Sequence, residues 1–198
     1  MVNVLTFDVE TTHKPKPNGG YTPLPYFGNH LVSIGYKMFT PHKQVVSAGI
    51  EVDNYLCFYH NDKEPTPGGF ETFQAVLDDA DVVVGHNVKF DLNWIKECGF
   101  KYDGPVYDTM VAEYLLARAR KWPLSLDALA KRYEVTEKKK DLTTDYLKSG
   151  KTFAQIPWEI VEEYGIADVQ ATWEVADKQV RDKYQTTWEE LYETNYVD

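Results

Sequence analysis

At 198 residues, 43% hydrophobic and 26% charged, the chain suits one domain over residues 1–198, and Cys57 and Cys98, with no CxxC and no paired Cys/His spacing, exclude a disulfide framework and a zinc site. A net charge of −10 argues against binding along duplex DNA, which relies on many Lys/Arg contacts to phosphate, but is compatible with an enzyme that grips a few nucleotides at a strand end and neutralises phosphate with bound metal. The start lacks a basic-then-apolar signal, and no apolar run approaches the roughly 20 residues of a membrane helix, so a soluble protein in a reducing cytoplasm with no membrane partner is expected.

Residues 2–10, Val2-Asn3-Val4-Leu5-Thr6-Phe7-Asp8-Val9-Glu10, read as a buried strand. Side chains alternate faces along a strand, so Asp8 and Glu10 project to the same side. Two carboxylates at the end of a buried strand repel, and three things can compensate them: a divalent cation, a shared proton, or solvent where the strand has already ended. Four prolines and three glycines in 11–29 then predict a long loop without regular structure. Its Lys14, Lys16, Tyr21, Tyr26 and Phe27 suit phosphate contacts and base stacking, or equally an insertion that packs its aromatics on the body.

A second strand is expected over 30–39, a turn over 40–43, and one or two further strands from the β-prone stretches 44–50 and 55–59 in an antiparallel meander. Phe70, Phe73, Val76, Leu77 and Ala80 follow helical spacing, which places a helix over 70–79. Asp81-Val82-Val83-Val84-Gly85 is a short strand running into His86-Asn87-Val88-Lys89-Phe90-Asp91 and a helix that ends at Gly99. A strand, a glycine turn and a helix form an α/β unit with its site at the strand's carboxyl end, and Asp91 falls in the first turns of that helix. His86 has no second histidine at ligand spacing.

A helix over 109–119 has Met110, Tyr114 and Leu115 on one side, and Arg118, Arg120 and Lys121 beside Trp122 suit either phosphate and base contact or a solvated helix end. Ser125 caps a helix over 126–133 with Leu126, Leu129, Ala130 and Tyr133 facing the core. The charge run over 137–141 reads as solvated loop. From Pro157, at a first-turn position, a long helix continues to about residue 184, and Tyr164 and Asp168, four apart, lie on one face of it. The segment 188–192 is amphipathic. There is no internal repeat.

Asp8, Glu10, Asp91 and Asp168 thus stand at strand ends or on helices, each with an ordinary explanation in solvent or the helix dipole. Together, Asp8-Val9-Glu10, Asn87-Val88-Lys89-Phe90-Asp91 and Tyr164 to Asp168 resemble the three motifs of the DEDD superfamily of 3′-to-5′ exonucleases, in the branch with a tyrosine. The position where the sister branch has histidine is Glu163. Gly85 to Asp91, Tyr107-Asp108-Thr109-Met110, Ser125 to Ala130 and Phe153-Ala154-Gln155-Ile156 look like the proofreading domain of family A DNA polymerases. The resemblance runs from Val2 to about Thr172, with a longer loop after the first motif.

That resemblance implies a ribonuclease H-like α/β fold: a mixed sheet whose first three strands are antiparallel, with flanking helices. It implies removal of nucleotides from single-stranded DNA 3′ ends through two divalent cations, Mg²⁺ or Mn²⁺. Asp8 would bridge the ions, with Glu10 and Asp168 on the nucleophile-side ion and Asp91 on the second through water. Tyr164 would orient the attacking water, and Thr11 and Asn87 would bind substrate. A separately encoded DNA polymerase is the expected partner, the chain being an excised domain or a free-standing exonuclease in the cytoplasm, the host's for a viral chain. An enzyme that trims RNA 3′ ends like RNase D shares all three motifs, and a non-catalytic module that binds strand ends or docks a polymerase is the reading outside the enzyme class.

Overall fold

The computed structural model describes residues 2–16, 20–39, 54–118, 120–137 and 139–196. Strands are β1 (Val4–Thr11), β2 (Lys14–Pro15), β3 (Tyr21–Thr22), β4 (Leu31–Phe39), β5 (Asn54–Cys57), β6 (Val82–Gly85) and β7 (Val106–Asp108). Helices are α1 (Gly69–Asp78), α2 (Lys89–Glu97), α3 (Thr109–Ala117), α4 (Leu126–Tyr133), α5 (Lys140–Lys148), α6 (Trp158–Lys178) and α7 (Trp188–Tyr196). The main sheet has the order β5-β4-β1-β6-β7. Its β1, β4 and β5 are antiparallel neighbours, whereas β6 and β7 run parallel to β1, giving the mixed, helix-flanked sheet of the ribonuclease H-like type.

The two-residue period of β1 distributes the core. Leu5, Phe7 and Val9 enter a cluster with Phe73 and Leu77 of α1 and Trp94 and Ile95 of α2. Val4 enters a second cluster on the opposite face with Val84, Ala176, Val180 and Trp188. Asp8 and Glu10 share the parity of Val4 and therefore lie on the α6 side of the sheet. β6 pairs with β1 only from Val4 to Thr6, so the last residues of β1 run beyond their parallel neighbour.

Several sequence expectations are corrected. The stretch 11–29 is not devoid of regular structure: Thr11 ends β1, β2 pairs with β3, and Pro25–Phe27 forms a 3₁₀ turn. Asn29 holds this segment together, donating to the carbonyls of Thr22 and Leu24 at 2.8 Å each, and the Trp94 indole donates to the Pro23 carbonyl. Prolines and glycines forbid a long ladder but not two-residue bridges. The charge run does not stay loop throughout, because α5 begins at Lys140. Pro157 precedes the first turn of α6 as its N-cap.

The helix expected over 109–119 ends at Ala117, where Arg118 adopts a left-handed conformation. Its Tyr114 and Leu115 are exposed, and the buried side is Thr109, Ala112, Glu113 and Ala117. The guanidinium groups of Arg120 and Arg132 lie 5.3 and 4.8 Å from the centroid of the partly buried Trp122 ring. The turn over 40–43, the strand over 44–50 and the side chains of Tyr21 and Tyr26 lie outside the described residues. Among the described residues, no helix is long and apolar enough to cross a membrane.

Candidate active site

The acidic strand end meets a helix. Asp8, Glu10 and Asp168 each offer a carboxylate oxygen, and these oxygens lie within 4.8 Å of one another. Glu10 and Asp168 are 7% and 3% exposed, and Asp8 is partly buried. β1 brings the first two together by alternation; α6 crosses the same face of the sheet and delivers Asp168. An all-oxygen set of three carboxylates in a mostly buried position fits a hard divalent cation such as Mg²⁺ or Mn²⁺ and suits neither a soft metal nor an apolar ligand.

Asp91 comes from the first turn of α2. Because β6 stops pairing at Thr6, the Val9 amide is available, and Asp91 Oδ1 accepts from it at 3.1 Å in place of a strand carbonyl. Asp91 is 3% exposed, and its carboxylate lies close enough to Asp8 for the two charges to interact. Burial first, then the charge of Asp8, push its pKa well above the ordinary carboxylate range, while the Val9 amide opposes the shift.

Tyr164 lies one helical turn before Asp168, close enough for that carboxylate to act on its hydroxyl. Burial, followed by the charges of Glu10, Asp168 and Asp8, raises its pKa far above that of a free phenol, so the hydroxyl stays protonated at neutral pH. The Phe153 ring, 5.5 Å away between centroids, supports its ring.

Thr11 sits at an irregularity of the β1–β4 register between Glu10 and Thr11 and is 6% exposed. Asn87 is exposed with φ 58°, a left-handed conformation that asparagine tolerates better than most residues. Asp108, given no role by sequence reasoning, holds that turn: its carboxylate accepts from the amides of Asn87 and Val88 at 3.0 Å each and also caps α3 through Met110 and Val111. An aspartate directly before a helical pattern was the available signal. His86 bonds Thr109 Oγ1 at 2.8 Å. A second tyrosine, Tyr55 of β5, lies close enough for the charges of Glu10, Asp8 and Asp168 to raise its pKa after burial.

A mixed sheet with an acidic group over its central strand and a tyrosine on the facing helix defines a hydrolytic nuclease of the ribonuclease H-like type. A family model described as 3′-5′ exonuclease matches residues 42–181, a span that includes Asp91, Tyr164 and Asp168 and that the fold joins to Asp8 and Glu10. The chain belongs to this 3′-5′ exonuclease family, within the DEDD superfamily and related to the proofreading domains of family A polymerases. It is also similar to DNA polymerase I of Borreliella burgdorferi, with 31% identity over 102 residues, covering 52% of this chain and 11% of that protein. The chain therefore spans about a tenth of that relative's length.

Proposed function

We propose that the protein removes nucleotides from the 3′ end of single-stranded DNA by phosphodiester hydrolysis and proofreads for a DNA polymerase. The observation that carries this reading is the convergence of Asp8, Glu10 and Asp168 beside Tyr164 in a member of the 3′-5′ exonuclease family. The similarity to a stretch of a DNA polymerase I favours a DNA end as substrate.

Asp8, Glu10 and Asp168 would hold divalent cations, with Asp91 supporting the second through water. Bound there, such ions neutralise phosphoryl charge and stabilise the leaving 3′-oxygen. Tyr164 acts as a positioner: with its proton directed to Asp168, its oxygen accepts a hydrogen from the attacking water and aims it. Even at its ordinary value of about 10 a phenol is protonated at neutral pH, so Tyr164 orients the water rather than acting as a strong base, and Glu10 can share that task. Asn87, exposed at the rim, and Thr11 at the irregularity of β1 contact the terminal nucleotide.

The test is time-resolved degradation of 5′-labelled DNA and RNA strands of one sequence with Mg²⁺, with chelator, and with Asp168→Ala. A DNA ladder shrinking from the 3′ end, absent in the last two cases, is expected. Preference for RNA would replace DNA proofreading by RNA trimming, and no nucleotide release from either strand would leave a binding module. Tyr164→Phe should lower turnover about 10- to 100-fold while Mn²⁺ binding holds, and equal loss of metal would contradict its role.

A further inference from the structure

Asp8, Gly35 and Tyr55 form one row across the sheet. Asp8 pairs with Gly35 on β4, and Gly35 pairs with Tyr55 on β5. Directly paired residues project to the same face, so the row faces α6. Gly35 leaves a gap that the Tyr55 ring fills: a Cβ at position 35 would meet two ring carbons at 2.9 Å. α6 offers a matching gap at Gly165, where a Cβ would run into Tyr55 Oη and Cε2. Trp158, with its ring centroid 5.6 Å away, flanks the ring at the start of α6.

The hydroxyl spans the same two elements. Tyr55 Oη lies 3.1 Å from the Val161 carbonyl and 2.8 Å from Ser33 Oγ. A carbonyl only accepts, so Tyr55 donates to Val161 and the Ser33 hydroxyl donates to Tyr55. Ser33 is the cross-strand partner of Glu10, and Val161 lies one turn ahead of Tyr164. One side chain thus links the strand position opposite Glu10 to the helical turn that precedes Tyr164 and Asp168.

We infer that Tyr55 is the positioning residue of the site: its ring, seated between Gly35 and Gly165, sets the spacing of α6 over β1, and its hydroxyl sets the helix rotation that turns Tyr164 and Asp168 toward Asp8 and Glu10. This inference rests on the nuclease reading above. Burial and the neighbouring carboxylates keep the phenol protonated, which preserves the donor to Val161. A ring that merely filled space would work equally well as phenylalanine.

The test compares wild type, Tyr55→Phe, Ser33→Ala and Gly165→Ala by thermal melting, by Mn²⁺ affinity from electron paramagnetic resonance, and by kcat and KM on single-stranded DNA. Tyr55→Phe should weaken Mn²⁺ binding about fivefold and lower kcat about tenfold, with KM within about twofold and a melting temperature near that of wild type. Ser33→Ala, which keeps the Val161 bond, should have a smaller effect. Gly165→Ala, which takes the seat of the ring, should have a larger one. Tyr55→Phe with the Mn²⁺ affinity and kcat of wild type, or with losses no greater than its loss of folded protein, overturns the inference. The nuclease reading fails separately, if wild type binds Mn²⁺ but releases no nucleotides, and the Mn²⁺ comparison still decides the role of Tyr55.

Discussion

Removing one charge from the acidic group should stabilise the metal-free protein while destroying its activity. In Asp168→Asn the side chain keeps its shape and an oxygen that can accept from Tyr164, but the repulsion from Asp8 and Glu10 is gone. The carboxylate oxygens lie within 4.8 Å. At an effective dielectric of about 20, two unit charges about 5 Å apart repel by about 3 kcal/mol. Asp168 faces two such neighbours, and solvent at the partly buried Asp8 screens part of the sum, leaving a net relief of about 1–3 kcal/mol. For a chain of this size each kcal/mol is worth about 2–4 °C, so in chelator the variant should melt about 2–12 °C above wild type. Adding millimolar Mg²⁺ should raise the wild-type midpoint and barely move that of the variant. Circular-dichroism melts in both buffers make the comparison. A variant that melts at or below wild type in chelator would refute the reasoning, because the carboxylates would then be attracting one another through a shared proton.

Further outcomes follow from neighbouring groups. Because its folded pKa is raised, Asp91 takes up a proton on folding, so metal-free protein should lose stability as pH rises from the ordinary carboxylate range through that raised value. Asp91→Asn, which still accepts from Val9, should flatten that slope in chelator melts; an unchanged slope would assign it to other acids. Glu113, 1% exposed, accepts from Arg132 at 2.5 Å, Tyr133 at 2.6 Å and Gln179 at 3.1 Å, so Glu113→Ala strands three donors. A loss of about 3–5 kcal/mol in urea unfolding is expected, and a loss under about 1 kcal/mol would show that the network contributes little. Asp108→Ala should cost about 1–2 kcal/mol and speed hydrogen exchange at the amides of Asn87 and Val88, whereas exchange unchanged at those amides would contradict its hold on the turn.

The parts of this architecture written in local periodicity were readable in the sequence. Alternation along residues 2–10 put Asp8 and Glu10 on one face, the apolar run before Gly85 marked β6, and Ser125 with Leu126, Leu129, Ala130 and Tyr133 defined α4 and its buried side. The four-residue spacing placed Tyr164 over Asp168. What escaped depends on distant partners. α5 buries only Thr143, so no apolar stripe announces it. The contact of Tyr55 with Gly35 and Gly165 joins three separate segments, and its only local trace is a glycine inside a strand and another inside a helix, each a sign of close approach. Tyr114 and Leu115 share a helical side but stay exposed, since periodicity identifies a face without saying what covers it.

The span of β1 beyond its parallel neighbour bears on how the molecule acquires activity. The strand end is completed by Asp91, 82 residues from the Val9 amide it caps, and by α6 near the other end of the chain. Closing such long loops is entropically costly and slow compared with forming hairpins or single helices. During refolding, then, helical signal should recover before nuclease activity, and a nascent chain that has not yet yielded α6 carries the strand and its two acids but no blade to cut with.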